Sequence, residues 1–366
     1  ALAPQLRLVV TARPPLGLAA ETQFLLGGLE LPVAGATGDA ARESDAVELF
    51  RQTVRRYDPS FELREGELAD VTTICGLVAG APLGIELAAA LTRVIAPAEL
   101  AAELSADLAV LAAAPGPAHR NAGLGALFGS SWNRLTDDER GALAGCAIFA
   151  GGFTRRAARQ VLGIGLPELG SLLDKSLLRR QGDRYELHPL VRQYAAERLA
   201  ARAEAEAWRE AHATHYCAWF DSKRPYYRRS GQRLAFEELG PDLPNLQAAW
   251  RWAVGGGRVD LLERAAFMAA CYLIAHGRAG ELTELLDEAE PVIGAGTPLH
   301  AQALRYRAWC LTPEEPFQAR LLLDAALELH RALGADDAVG PLFHDLGVVN
   351  AYLGDVAAAR RYWLDA

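Results

Sequence analysis

Two polar residues follow the first apolar stretch of the chain, and their position suits phosphate binding. Residues 6–10 predict a short strand that is buried on both faces of a parallel sheet. Thr11 and Arg13 come directly after it. In such sheets ligands bind beyond the carboxyl ends of the strands, so Thr11 and Arg13 are candidate phosphate contacts. The residues before the strand offer no phosphate-binding loop, so the sequence predicts half of a nucleotide site.

The other candidate chemical groups do not form a complete catalytic or metal site. Residues 165–171 have two glycines at the spacing of a phosphate-binding loop, but Ser171 stands where that loop requires Lys. His212 and His215 are three residues apart on a predicted helix with Cys217 nearby, and no fourth ligand accompanies them. We interpret these three residues as structural, and we expect no catalysis by this chain alone.

The composition predicts a multidomain protein without a membrane segment. The 366 residues are 51% hydrophobic, and no apolar stretch approaches the roughly 18 residues of a membrane span. The five scattered cysteines include no Cys-x-x-Cys pair, which argues against a disulfide framework or a zinc site. We therefore expect a cytoplasmic protein with no membrane partner. Because the chain begins with Ala1 and its only Met is Met268, we expect it to be a piece of a longer protein.

The pattern from residue 41 to the middle of the chain is almost entirely helical. The predicted helices cover residues 44–56, 65–78, 82–90 and 97–104. Ser44 is the expected N-cap of the first helix, and Pro82 opens the third as a first-turn proline. Residues 112–117 are Ala, Ala, Ala, Pro, Gly and Pro, which predicts a linker before a new domain.

The next elements predict a winged helix, a helical domain that carries a β-hairpin. Thr136 and Glu139 form a capping box, and Thr154 caps a later helix. The predicted helices are 121–134, 137–148, one from 154, 167–173 and one from 189, and the predicted strands are 176–180 and 184–187.

Four segments in a fixed order carry a resemblance to a known class of proteins. They are Leu-Val-Val-Thr-Ala-Arg at 8–13, Gly-Ala-Pro-Leu-Gly-Ile-Glu-Leu-Ala at 80–88, Phe-Ala-Gly-Gly-Phe-Thr at 149–154 and Leu-Leu-Asp-Lys-Ser-Leu-Leu at 172–178. The chain resembles the STAND class of signal-transduction ATPases, and within it the bacterial NB-ARC-type transcriptional regulators with a helical-repeat sensor. This resemblance implies a fragment without the Walker A and B part, and ATP or ADP with Mg²⁺ bound by the longer protein.

The resemblance implies nucleotide contacts at two places in the first part of the chain. In that class the strand that ends in Thr-Ser-Arg reads the γ-phosphate, and this role carries over to Arg13, with Ala12 in place of Ser. The segment that packs beside adenine and ribose carries over to Pro82. Ala81 and Gly84 depart from the pattern of that segment, so we expect a looser pocket wall.

His188 matches the histidine by which related switches hold the β-phosphate of ADP in the closed state. Of the Met-His-Asp motif only His is kept, because Leu187 replaces Met and Pro189 replaces Asp. A hydrogen bond to a charged phosphate contributes about 1.5–3 kcal/mol. If the open state were about 1% populated, a loss of about 2 kcal/mol would raise it to about a quarter.

Each candidate residue also has a purely structural interpretation. Arg13 could be an ordinary surface arginine, Pro82 a helix starter, and His188 a capping or packing residue. Residues 151–202 carry ten Arg or Lys against five Asp or Glu in a chain of net charge −9. Five arginines of this stretch are candidate DNA contacts or else a solvated face. They are Arg155, Arg156, Arg159, Arg179 and Arg180.

The last third of the chain predicts helical repeats. Residues 236–250 resemble the linker that these regulators place before their repeats. Residues 340–366 fit a tetratricopeptide repeat, and residues 300–333 fit a degenerate earlier one. Because such repeats bury their faces only by stacking, we expect more of them downstream.

The sequence therefore predicts a mainly α fold that combines the end of an α/β nucleotide-binding domain, a helical bundle, a winged helix and an α-solenoid of tetratricopeptide-like repeats. The predicted domains are the nucleotide-binding strands (1–33), the helical domain (34–115), the winged helix (116–203), the helical linker (204–294) and the repeats (295–366).

Two functions of different class fit these predictions. The first is the regulatory and sensor portion of an ATP/ADP switch that controls transcription, in which ADP closes the winged helix on the nucleotide domain. An inducer or partner protein would bind the repeats, ATP exchange would permit self-oligomerisation, and DNA would be contacted through an output domain outside this chain. The alternative is a nucleotide-free helical-repeat scaffold for protein–protein interaction, whose winged helix contacts DNA directly.

Overall fold

The computed structural model describes residues 10, 22, 24, 26–32, 39–106, 108–113, 132–175, 177–227, 229–335 and 339–366. The chain divides into two compact units, Ala1–Ala205 and Glu206–Ala366. The predicted strand at 6–10 lies outside the described residues except for Val10, and Thr11 and Arg13 also lie outside them, as does most of the predicted helix at 121–134.

The first half of the first unit is a bundle of helices, as predicted. The helices are α1 (Asp39–Arg42), α2 (Asp45–Arg55), α3 (Glu65–Leu77), α4 (Pro82–Leu91) and α5 (Pro97–Ala106), followed by a 3-10 helix (Leu108–Ala113). The apolar sides of these helices meet in one core, whose fully buried members include Phe50, Ile74 and Ile85. Pro82 is the first residue of α4, where its missing N–H costs nothing.

The second half of the first unit combines helices with a small sheet. The elements are α6 (Asp137–Cys146), β1 (Phe153–Thr154), α7 (Arg155–Leu162), α8 (Leu166–Asp174), β2 (Arg179–Gln181), β3 (Arg184–Glu186) and α9 (Pro189–Ala200). The sheet is antiparallel with the order β1-β3-β2. Phe153 pairs with Tyr185 and their rings stack 5.8 Å apart.

The predicted hairpin is present but its first strand is shorter than expected. Residues 176–180 are predicted as a strand, whereas β2 begins at Arg179. The amides of Leu177 and Leu178 donate instead to the carbonyl of Leu172, at 2.9 and 3.2 Å, and so close the end of α8. The apolar pair at 177 and 178 is buried as part of the helix terminus.

Three helices begin at the capping residues that the sequence predicts. The side chains of Ser44, Thr136 and Thr154 each accept a hydrogen bond from a backbone N–H of the first turn, at 3.2–3.4 Å. Such caps satisfy backbone donors that a helix start leaves unpaired.

Helices are the regular elements of the second unit in the residues that the structure describes. Its helices are α10 (Ala205–Asp221), α11 (Gln232–Leu239), α12 (Leu243–Gly255), α13 (Val259–Ala275), α14 (Ala279–Ala289), α15 (Pro298–Leu311), α16 (Pro316–Ala332), α17 (Val339–Tyr352) and α18 (Val356–Asp365). Short 3-10 helices occupy Arg224–Tyr226 and Gly240–Asp242. The helix pairs α15/α16 and α17/α18 pack most extensively, and they coincide with the predicted repeats.

Gly347 allows the last two helices to approach closely. A Cβ atom at this position would lie 2.3 Å from Nε1 of Trp363, so α17 and α18 could not pack in this way with a larger residue there. Among the described residues, no helix is both long and apolar enough to span a membrane.

Candidate functional site

The loop between α3 and α4 has an unusual backbone. Ala79 and Gly80 have φ angles of 50° and 67°, in the left-handed region that residues other than glycine rarely adopt. The carbonyl of Gly80 accepts a hydrogen bond from the N–H of Leu29 at 2.8 Å. Pro82 follows this loop as an exposed residue. Strain of this kind concentrates at binding and switch sites, which draws attention to the surface around Pro82.

The helices α4 and α9 contact each other at Gly84. A Cβ atom on Gly84 would lie 2.8 Å from Cβ of Val78 and 3.4 Å from Cδ1 of Leu190. Val78 and Leu190 fill the space that a larger residue would need at this position, and the looser pocket wall expected from Ala81 and Gly84 stays a prediction. We call this contact, between Gly84 and Leu190, the α4/α9 junction.

His188 is the N-cap of α9. Its Nδ1 atom accepts a hydrogen bond from the N–H of Leu190 at 3.3 Å. Because Nδ1 accepts this bond, the ring of the neutral histidine carries its proton on Nε2. Burial and the nearby positive charge of Arg179 lower the pKa of His188 to about 4. The side chain is thus neutral at pH 7 and keeps Nε2–H as a donor for another group.

Two arginines fix the turn that precedes β1. Arg192 on α9 donates to the carbonyls of Ala150 and Phe149, at 2.5 and 3.5 Å, and its burial lowers its pKa. Arg184 on β3 donates to the carbonyls of Gly151 and Gly152, at 3.1 and 3.2 Å. These bonds hold the turn, the sheet and α9 together as one body.

α9 also packs into the bundle through its apolar side. Leu190 and Tyr194 belong to the same buried core as Val78 and Ile85. The ring of Trp132 meets Tyr194 edge-on at 5.8 Å. The helix that His188 caps is therefore anchored on the helices that surround Pro82.

The structure brings two of the predicted nucleotide-binding segments together, and the third lies outside the described residues. The helices that begin at Pro82 and at Pro189, directly after His188, meet at the α4/α9 junction. Thr11 and Arg13 lie outside the described residues. The capping interpretation of His188 and the helix-start interpretation of Pro82 both describe what these residues do in the fold, and neither excludes contact with a ligand.

The five candidate DNA-contacting arginines are all exposed. They are Arg155, Arg156, Arg159, Arg179 and Arg180. In the part of the chain that the structure describes, none of them forms an ion pair, and Arg180 donates to the carbonyl of Gly182 at 2.9 Å. They form a positively charged surface on α7 and the hairpin.

A charged network between α6 and α8 went beyond what the sequence predicts. Glu139 accepts hydrogen bonds from Ser171, from Lys175 at 2.5 Å and from the N–H of Thr136 at 2.9 Å. Burial opposes its ionisation, but these bonds outweigh burial and lower its pKa to about 2. The signal in the sequence is the spacing of Ser171 and Lys175, which are four residues apart at the end of α8, where Lys175 is the C-cap.

The histidines of α10 take part in packing and hydrogen bonds. His212 is buried and its Nε2 atom lies 3.3 Å from Oδ1 of Asn245. Its pKa is lowered to about 4, chiefly by burial. The ring of His215 meets Tyr216 edge-on at 4.9 Å. Within the described ranges, no three His, Cys, Asp or Glu side chains are grouped so that they could hold a metal ion.

Comparison with known sequences points to a class of proteins. Over 379 aligned residues the chain is 29% identical to proteins of Mycobacterium tuberculosis and Mycobacterium bovis named as HTH-type transcriptional regulators. The match covers 97% of this chain and 41% of those proteins. The chain resembles transcriptional regulators. This regulator-like chain spans about two-fifths of the length of those relatives, and the predicted resemblance to bacterial regulators is confirmed.

Further comparisons add context. Uncharacterised proteins of the same two species are 34% identical over 218 residues, which covers 56% of the regulator-like chain and 52% of theirs. A structural match is to a STAND protein with a tetratricopeptide repeat sensor from Pyrococcus horikoshii, at 14% identity and a TM-score of 0.28, covering 88% of this chain and 53% of that one. No family model matches the sequence.

Proposed function

We propose that this chain is the regulatory and sensor portion of an ATP/ADP-dependent signal-transduction switch that controls transcription. The observation that carries the proposal is the α4/α9 junction, because it seats the helix capped by His188 against the helix that begins at Pro82. The match to HTH-type transcriptional regulators, which covers 97% of this chain at 29% identity, supports a regulatory role.

The residues next to the junction, His188 and Arg179, offer a hydrogen-bond donor and a positive charge that suit a phosphate. His188 is neutral and keeps Nε2–H available, and the cation of Arg179 acts on the same ring. Pro189 has no N–H and the amide of Leu190 is already bonded to His188, so neither of the first two amides of α9 is free, and we assign the donation to the phosphate to the imidazole. A bound ADP would supply the negative charge and acceptor oxygens that this surface lacks. In our proposal Pro82 lies beside the nucleoside, and Thr11 and Arg13 read the additional phosphate of ATP.

The repeats provide the sensor in this proposal. An inducer or partner protein would bind α15–α18 more tightly when the first unit is in one of its two states. Its binding would then shift the balance between the ADP and ATP forms. The ATP form would then self-oligomerise, with Mg²⁺ held by the parts of the protein that bind the triphosphate.

DNA is proposed to be contacted through an output domain rather than through this chain. In a helix-turn-helix domain the second helix of the motif enters the major groove, and here that position falls to α8. α8 contains Glu168 and Asp174 and neither Arg nor Lys. A helix of this charge is unsuited to a phosphate-lined groove, although the exposed arginines of α7 and the hairpin would allow contacts at its edge.

The experiment uses the full-length natural protein that contains this chain. Its bound nucleotide is extracted and identified after purification, and its mass in solution is measured with ADP and with ATP. We expect bound ADP in the resting protein and a larger assembly with ATP. Arg13→Ala is expected to abolish the response to ATP while ADP remains bound. A protein that carries no nucleotide and keeps one mass under all conditions would instead support the nucleotide-free scaffold.

A further inference from the structure

The most basic short segment of the second unit is a loop between α10 and α11. Residues 223–233, here called the basic loop, contain five Lys or Arg and no Asp or Glu, in a chain of net charge −9. Tyr226 and Tyr227 lie within it. Neither the proposed nucleotide switch nor the repeats account for this combination of charge and aromatic rings.

Consecutive turns fix the shape of the described residues of the basic loop, 223–227 and 229–233. The N–H groups of Tyr226, Tyr227, Arg229 and Gln232 each donate to the carbonyl three residues earlier, at 3.0–3.1 Å. Tyr226 also lies against Gly231, where a Cβ atom would come within 2.8 Å of its ring. The described residues of the loop are therefore organised before any partner arrives, which lowers the entropic cost of binding.

Two of its arginines are exposed and lack an acidic partner among the described residues. Lys223 pairs with Glu238, and Arg233 pairs with Glu237 at 2.6 Å. Arg224 lies over the ring of Phe267, 4.8 Å from its centroid, and no described carboxylate pairs with it or with Arg229. Tyr226, between these two arginines, is 49% exposed.

A shallow pocket adjoins the basic loop. It is lined by Arg233, Phe236, Glu237, Gly240, Tyr272 and His276. The rings of Tyr272 and His276 stack 4.2 Å apart, and Phe236 meets Tyr272 edge-on at 5.6 Å. Arg233 belongs to both the loop and the pocket and pairs with Glu237, so the pocket lies at the end of the basic loop.

We propose that the basic loop and this pocket bind an acidic peptide segment of a partner protein that has an apolar side chain to fill the pocket. Arg and Tyr are the residues that most often dominate the energy of protein interfaces. The charge is also local, since Asp221 precedes the loop and Glu237 and Glu238 follow it. A long nucleic acid would cross these carboxylates, whereas a short peptide can lie between them. This proposal does not depend on the nucleotide switch.

The test measures peptide binding to the full chain by fluorescence anisotropy. The probes are labelled short peptides rich in Glu with one central Phe, the same peptides with Gln for Glu, the same peptides with Ala for Phe, and an oligothymidine of equal charge. We expect the Glu-and-Phe peptides to bind, with affinity that falls as salt rises, and both substituted peptides to bind about tenfold or more weakly.

Matched protein variants locate the site. The double variant Arg224→Glu with Arg229→Glu is expected to bind the Glu-and-Phe peptides about tenfold or more weakly. The control is Arg331→Glu with Arg360→Glu, which alters the net charge by the same amount at exposed residues elsewhere in the second unit. Its affinity for the peptides is expected to change by less than about twofold. Circular dichroism checks that both variants fold.

The proposal is overturned if the acidic peptides do not bind, or if the two double variants weaken them equally. Tighter binding of the oligothymidine, lost in Arg224→Glu with Arg229→Glu, would overturn it in favour of nucleic acid. Equal binding of the Phe and Ala peptides would remove the pocket from the site.

Discussion

Leu190, the second residue of α9, packs against Gly84, the third residue of α4. A methyl group at position 84 would also meet Cβ of Val78 at 2.8 Å, which is closer than carbon atoms normally approach. The hydrogen of Gly84 thus sets the spacing between the bundle and the helix that His188 caps.

Replacement of this glycine is expected to destabilise the first unit. Gly84→Ala gains about 1 kcal/mol of helix propensity but overpacks a buried site, which costs about 1–3 kcal/mol. We expect a net loss of about 1 kcal/mol in the free energy of unfolding, measured by urea denaturation. The matched control is Gly76→Ala, because Gly76 is an exposed helical glycine with open space around it. The control should stabilise by about 0.5–1 kcal/mol, and equal stabilisation by both variants would contradict the role of the junction.

The two roles of His188 can be separated with two substitutions. His188→Ala removes the cap of α9, which costs about 0.5–2 kcal/mol, and it also removes the donor at Nε2. His188→Asn keeps an acceptor that suits the N-cap position, but its amide donor lies closer to the backbone than Nε2 of the imidazole. We expect the Asn variant of the full-length protein to unfold like the wild type and yet to retain less ADP after purification. If both the Ala and the Asn variants retained ADP at the wild-type level, His188 would be a capping residue only.

The network around Glu139 predicts a specific dependence of stability on pH. Its pKa is about 2 in the folded chain and 4.5 in the absence of interactions, so folding favours the ionised form. The stabilisation is fully present above about pH 4.5 and is lost as the pH falls towards 2. Since hydrogen bonds to a charged group contribute about 1.5–3 kcal/mol, Glu139→Gln should lose about this much stability at pH 7 and progressively less below pH 4.5.

Asp138 provides a control for Glu139, because it is a carboxylate of the same helix start without bonds to Ser171 or Lys175. Asp138, the next residue, is exposed in the same first turn, so Asp138→Asn controls for the loss of a charge near the helix start. Urea denaturation across the acid range should show a pH-dependent difference for Glu139→Gln and a small difference for the control. Parallel curves for the two variants would refute the role assigned to Lys175 and Ser171.

Two ion pairs of equal length in the second unit are expected to differ in strength. Nε of Arg305 and Nη1 of Arg307 each lie 2.5 Å from a carboxylate oxygen, of Asp345 and Asp287 respectively. Asp345 is 7% exposed and also accepts a bond from Trp309, whereas Asp287 is 58% exposed. Asp345→Ala would leave Arg305, whose side chain is 14% exposed, without its carboxylate and should cost about 3–5 kcal/mol, while Asp287→Ala should cost less than about 1 kcal/mol. Similar losses of stability in the two variants, measured by thermal denaturation, would show that burial does not govern the strength of these ion pairs.

The sequence predicts best those features that depend on a few neighbouring residues. The caps at Ser44, Thr136 and Thr154 and the start of α4 at Pro82 require only local hydrogen bonds and a fixed φ angle, and the structure confirms them. Helix pairing in the last third is equally readable, because small residues such as Gly347 mark the close contacts.

Features that depend on distant partners were less accessible. β1 has only two residues and exists because Phe153 pairs with Tyr185, 32 residues away. The strand predicted from residue 176 was shortened because Leu177 and Leu178 close α8 instead. For the candidate site, the sequence singles out Pro82 and His188 but not Leu190, since the contact with Gly84 arises only when two helices far apart in sequence pack together.

The α4/α9 junction is a contact between apolar groups, so its strength depends on temperature. Attraction between apolar surfaces arises from water and weakens on cooling, whereas hydrogen bonds such as those of Arg184 and Arg192 do not share this dependence. As the temperature falls, α9 would loosen from Gly84 while it stays tied to the sheet and the turn before β1. A switch that closes through this junction, as we propose, would open more readily in the cold than in the warm.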